Sequence, residues 1–274
     1  MKVRTLTLIL AALASVACRS LVLENRSDCP AFIYFECPND CPVGGKEAVQ
    51  LMVLDARTME ELASDKPLLQ EIRDDDFYLA IEKRPEIVSI GVAGMRMSTI
   101  KGTTLELPGG SQGDPIYRFS RKEILEEEST LVPLNMTKEF SRVLVRFKSE
   151  DGLFPYNVVV SANTCGIDIV TGRPVEGPFR FVPIESTPGV FLFTVPRQAD
   201  YSLSLELWAE PGSKDGKEGH VDDLILWNAL QNINGFSWAM ESLPDLTVEI
   251  DYVKASATVL VNDWDVSSTI NYIL

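Results

Sequence analysis

The feature that most restricts this chain is apolar alternation with a period of two. In FSRVLVRFK the side chains of Val143, Val145 and Phe147 fall on one side and those of Arg142, Arg146 and Lys148 on the other. That is the pattern of a strand with one face in a core and one in water. AVQLMVLDA puts Val49, Leu51 and Val53 on one face, and FYLAIEK, EIVSIGVAG, YNVVVSAN, GVFLFTVP, YSLSLELWAE, LTVEIDYV and ATVLVND read as further short strands. Turn signals such as DG, PG and DGKEG punctuate them at intervals of about 8–12 residues. Local helical character is expected only in TMEELA, in DDLILWNALQNI and in the acidic stretch RKEILEEESTLVPLNMTKE, which contains Pro133. An α/β enzyme fold needs helices alternating with strands. The pattern therefore predicts an all-β chain of two tandem antiparallel β-sandwiches, residues 18–135 and 136–274, divided within 130–138. The two halves show no repeat in sequence.

The N-terminus departs from this pattern. Lys2 and Arg4 precede eleven mostly apolar residues, Leu6 to Val16, and the small Ser15 and Ala17 lead to Cys18. The run is too short to span a bilayer, which needs about twenty apolar residues, so residues 1–17 are expected to be an export signal that is removed. A small residue directly before cysteine resembles the lipobox of bacterial lipoproteins, although Ser15 stands where leucine is usual. Plain secretion is the alternative. Lipidation of Cys18 leaves an even set of cysteines, Cys29, Cys37, Cys41 and Cys165, as an exported chain favours for disulfides. Three pairings are open. Joining Cys37 to Cys41 would leave Cys29 with Cys165, a bridge from the start of the mature chain to its second half.

Charge narrows the partners. The chain carries 25 basic and 40 acidic residues, a net charge of −15, and loss of Lys2 and Arg4 takes it to about −17. Such a surface repels nucleic acid and anionic lipid heads, so any membrane attachment falls to the acyl chains, two or more of which hold stably at ~0.8 kcal/mol per buried methylene.

Three constellations resemble chemistry. Gly109-Gly110-Ser111-Gln112-Gly113 has the spacing of a nucleophile elbow, with the sole histidine, His220, downstream. Pro108 before it and Asp114-Pro115 after it prevent the strand-to-helix turn an elbow needs, so a flexible turn is expected and no catalytic residue is assigned. Cys37 and Cys41 lack a second Cys or His pair for zinc. The clusters Asp74 to Asp76 and Asp222-Asp223 lack the alternating ligands of a calcium loop. No metal or cofactor is expected, and Trp208, Trp227, Trp238 and Trp264 are read as core and rim residues.

With these residues laid out, the chain resembles the fimbrillin-type (FimB-like) anchor subunits of Bacteroidia type V pili. The likeness is carried by Cys18, SDCP at Ser27 to Pro30, VQLMVLD, LNMTKEFSRVLVRF, SANTCGIDIVTGRPVEG, VPRQADYSLSLEL and LPDLTVEIDYVKASATVLVNDW. It is weakest over 85–130. The resemblance implies two transthyretin-like sandwiches without catalysis, an outer-membrane lipoprotein tethered at Cys18, and fimbrial stalk subunits as partners. Subunits in such systems join by adding a β-strand to a neighbour. STINYIL suits that role, with Ile270, Tyr272 and Leu274 on one face. The alternatives are that it is an edge strand of its own domain, and that the chain is a surface adhesin for a host protein or glycan.

Overall fold

The computed structural model describes residues 29–74, 77–125, 128–148, 154, 156–209, 219–225, 236–251, 256–261 and 266–271. In the first half, β1 (Ala31–Glu36), β2 (Val49–Asp55) and β3 (Glu61–Asp65) lead to a one-turn helix, α1 (Leu69–Arg73), then β4 (Tyr78–Ile81) and β5 (Glu86–Ala93). Two short strands, β6 (Thr99–Lys101) and β7 (Thr104–Glu106), precede β8 (Tyr117–Ile124), β9 (Ser129–Pro133) and β10 (Thr137–Lys138). The second half opens with β11 (Phe140–Lys148) and β12 (Tyr156–Ala162), followed by the short β13 (Gly166–Asp168), β14 (Pro174–Val175), β15 (Phe179–Phe181) and β16 (Glu185–Thr187). It continues through β17 (Val190–Pro196), β18 (Ser204–Ala209), β19 (Gly219–Ile225), β20 (Leu246–Asp251), β21 (Ser256–Val261) and β22 (Val266–Asn271).

The fold is all-β. One sheet of the first sandwich has the order β4-β1-β9 and the other β10-β8-β5-β2-β3; in the second the orders are β16-β17-β11-β20-β21-β22 and β15-β12-β18-β19. Lettering the main strands of each half A to G gives D-A-G facing C-B-E-F twice over, so a repeat invisible in sequence is present in topology. This is the transthyretin-like arrangement. The antiparallel expectation needs one correction, because A and G run parallel in both halves, β1 with β9 and β11 with β20. Strand G arrives by crossing from the opposite sheet, which lets it enter in A's direction.

The alternation in β11 is realised: Val143 and Val145 are fully buried and Arg142, Arg146 and Lys148 are exposed. Facing residues of both sheets of the second sandwich form one cluster, including Phe191, Phe193, Leu205, Leu207 and Ile250. Ile33, Leu51, Ile87 and Val132 do the same in the first. Each such side chain contributes ~1.5–3 kcal/mol through removal from water. In β2, Val49, Leu51 and Val53 share the inner face as expected, but Met52 and Leu54 are buried too. They pack with Val88, Ile90, Val92, Leu105 and Ile169 under a third layer, the four-stranded sheet β14-β13-β7-β6. Burial on both faces is why LMVL and IVSIGVA read as continuous apolar runs.

The helical expectations are corrected. TMEELA forms a turn and β3, because Asp55 Oδ1 accepts the N–H groups of Arg57 at 2.8 Å and Thr58 at 3.1 Å and closes a hairpin onto β2. RKEI completes β8, paired with β5 through Glu86↔Ile124, and STLVP is β9. Asp222 to Ile225 lie in β19, and the remainder of DDLILWNALQNI is outside the described residues. The helix that does form, α1, buries Leu69 and Ile72, and the Glu71 carboxylate accepts the Leu68 N–H at 2.7 Å at its start.

Candidate functional site: sheet edges and the junction of the sandwiches

The C-terminal edge is built from a meander. β20 pairs antiparallel with β21, and β21 with β22, extending the D-A-G sheet by two strands. β22 ends the sheet, and Ile270 sits opposite Ala257. Tyr272 and Leu274, the other two members of the expected donor face, lie outside the described residues, as does Cys18. Among the described residues the first sandwich has no counterpart of these two strands, and its D-A-G sheet ends at β9, where Leu131 is 60% exposed. On the same outward face Tyr78 lies against Phe32 and Tyr34, with ring centroids 5.4 Å and 5.5 Å apart. Sequence reading missed this aromatic face, because Tyr34 and Tyr78 occupy outward positions of otherwise ordinary alternating strands.

Among the described residues the halves are tied together at several places, including Lys138 with Asp245 at 2.5 Å, and three of these connections shape the junction. β7 pairs with β13 through Leu105↔Ile167, with Leu107 N–H donating to Cys165 O at 2.9 Å and Ile169 N–H to Thr103 O at 2.8 Å. The Gly109–Gly113 turn lies along β17: Gly113 N–H donates to Thr194 O at 3.0 Å, and Gln112 Oε1 accepts the Thr194 N–H at 3.1 Å. At the start of β11 the buried Glu139 carboxylate accepts from Arg118 Nε at 3.1 Å and from Arg197 Nε. Arg197 also donates to the carbonyls of Trp238, Met240 and Glu241. A buried charge persists only when paired and hydrogen-bonded, and this one is held from both sandwiches. No spacing in the sequence marks Glu139, Arg118 and Arg197 as partners.

Asp114 governs the neighbouring loop. Its Oδ2 accepts the N–H groups of Arg96, Met97 and Ser98 at 2.8, 2.8 and 2.7 Å. Burial pushes this carboxyl upward, but the three N–H groups outweigh it and hold it below the ordinary carboxylate range.

The hydrolase constellation is not assembled. Ser111 Oγ donates to Pro108 O at 3.3 Å in the turn docked on β17, whereas His220 lies in β19, opposite Trp208, in the other sheet of the second sandwich. Among the described residues no group of three His, Cys, Asp or Glu side chains converges as a metal site. Cys29, Cys37, Cys41 and Cys165 are free thiols in the structure, so neither bridge considered from the sequence is formed in it. Arg73 Nε donates to Cys37 Sγ at 3.4 Å, burial pushes the Cys41 thiol up, and Cys165 Sγ donates to Glu176 O at 3.4 Å.

The architecture is that of a tandem transthyretin-like β-sandwich protein, its halves coupled through a buried carboxylate and a shared small sheet. No protein-family profile and no curated protein matches the sequence. Solved structures do share the fold. The fimbrial anchor protein Mfa2 from Porphyromonas gingivalis has a TM-score of 0.64 at 10% identity, covering 89% of this chain and 100% of that one. A candidate polysaccharide-binding protein from Bacteroides thetaiotaomicron has a TM-score of 0.62 at 13% identity, over 89% and 99% of the two chains. A candidate adhesin from Bacteroides ovatus has 0.59 at 12% identity, over 89% and 95%.

Proposed function

We propose that this chain is the base subunit of a type V fimbrium, held in the outer membrane by lipid on Cys18 and joined to its neighbour by strand addition at the C-terminal edge. The observation that carries this reading is the likeness to Mfa2 over the whole of that protein and 89% of this one. The end position of β22 supports it, because an end strand has a row of N–H and C=O groups for a neighbour's strand, with alternate side chains setting specificity. Electron microscopy of cells carrying Cys18→Ala tests the tether. Fimbriae should shift from the cell surface into the medium; fimbriae that stay cell-bound overturn it.

A second reading, a surface binding module, is favoured by a polar cleft between the sandwiches, lined by residues 118–121, 171–174, 197–201 and 237–241. It requires a ligand and no obligatory subunit partner.

A further inference from the structure

We infer that this cleft is a binding site for a carboxylated oligosaccharide; the inference rests on the binding-module reading. The cavity measures about 720 Å³, within the range of small-ligand sites. Its walls combine arginine, carboxylate, amide and hydroxyl groups with the rings of Tyr201 and Trp238 and with apolar patches at Phe119, Pro174 and Met240. An apolar ligand would strip water from those polar groups and return nothing, whereas a sugar offers hydroxyls to the polar groups and a C–H face to the rings.

The charge selects an acid. The whole chain has 25 basic residues against 40 acidic, yet in the cleft Arg118, Arg173 and Arg197 match its three carboxylates one for one, while a fourth arginine, Arg121, is paired with Glu123 at 2.7 Å. One of those carboxylates, Glu139, is shared by Arg118 and Arg197, so two guanidinium groups at the floor face a single negative charge. Arg118 Nη1 donates to Ile169 O at 3.3 Å, and its Nη2 lies against Gly172, where an added Cβ would come within 2.3 Å of it and φ is +72°. Glycine at this turn thus leaves the room that Arg118 occupies. The next residue, Arg173, is exposed, and its guanidinium has no ion pair among the described residues. Two arginines therefore flank the Gly172 turn, the residue type that grips carboxylates with paired donors. Gln198 and Trp238, 2% and 5% exposed, keep an acceptor, Oε1, and a donor, Nε1, without a protein partner. Both atoms are closed off from the cleft as the side chains stand, so a ligand hydroxyl reaches either only when that side chain turns toward the cleft.

Calorimetric titration of the full-length chain in neutral detergent with tetragalacturonate, maltotetraose and a tetrapeptide ending in glutamate tests this. Tetragalacturonate should bind, more weakly as salt rises, with maltotetraose and the peptide at least tenfold weaker. Arg173→Ala should weaken tetragalacturonate at least tenfold, while Arg57→Ala, which removes the same charge from an exposed turn, should leave it unchanged. Equal binding of maltotetraose, preference for the peptide, or undiminished binding by Arg173→Ala overturns the inference and leaves the binding-module reading standing. No binding of any of the three probes overturns the inference, while a glycan array that then shows capture of other sugars preserves the reading and an empty array sinks both.

Discussion

Asp114 gathers three consecutive backbone N–H groups on one oxygen, and its removal leaves them without that acceptor in a loop whose Arg96 and Met97 side chains are exposed. Asp114→Ala is expected to destabilise the protein by about 1–3 kcal/mol, since hydrogen bonds to a charged acceptor are worth ~1.5–3 kcal/mol each and water at this partly exposed loop recovers much of their loss; chemical denaturation measures this. The pH dependence has a definite sign. A carboxyl held below its unfolded value of about 3.9 contributes stability that is fully present above that value and is lost as pH falls through the lower folded value. Wild type should therefore lose more stability than Asp114→Asn between about pH 5 and pH 2, and parallel acid limbs would contradict the assignment. Glu139→Gln should cost more, about 3–5 kcal/mol, because it leaves the buried Arg197 and the partly buried Arg118 without their counter-charge. Neither role was legible in the sequence: SQGDP announced a turn, and KEFSRV announced a strand start. A carboxylate's partners come from segments 16–18 residues away for Asp114 and 58 away for Arg197 on Glu139.

Among the elements, β22 pairs locally with β21 and, in the proposed function, also faces a neighbouring subunit. Deleting residues 268–274 removes most of the end strand but leaves β20 and β21 paired. The truncated protein should keep its thermal transition within a few degrees and lose capture of a stalk subunit in a crosslinking assay. Collapse of the transition would instead make β22 an integral edge of its own sandwich. The strands themselves were readable, because alternating Val, Leu and Phe against charged residues has one efficient burial in water. TMEELA was misread because helix propensity is weak beside the Asp55 turn and the pairing of β3 with β2.

In the whole molecule, β7 from the first half pairs with β13 from the second, and Glu139 bridges arginines of both. The two sandwiches are therefore expected to unfold in one calorimetric transition, with equal van't Hoff and calorimetric enthalpies. Glu139→Gln should broaden or divide it, and two separate transitions in the wild type would mean that the junction does not couple them. Strand content, inward faces and the all-β class were written into the sequence because they depend on neighbours two residues apart. The doubled D-A-G and C-B-E-F topology, the parallel first and last strands, the buried carboxylate between two arginines and the cleft above it were decided only by the tertiary structure. They arise where segments distant in the chain meet, and hydrogen bonding and charge pairing at such contacts carry no periodicity along the sequence.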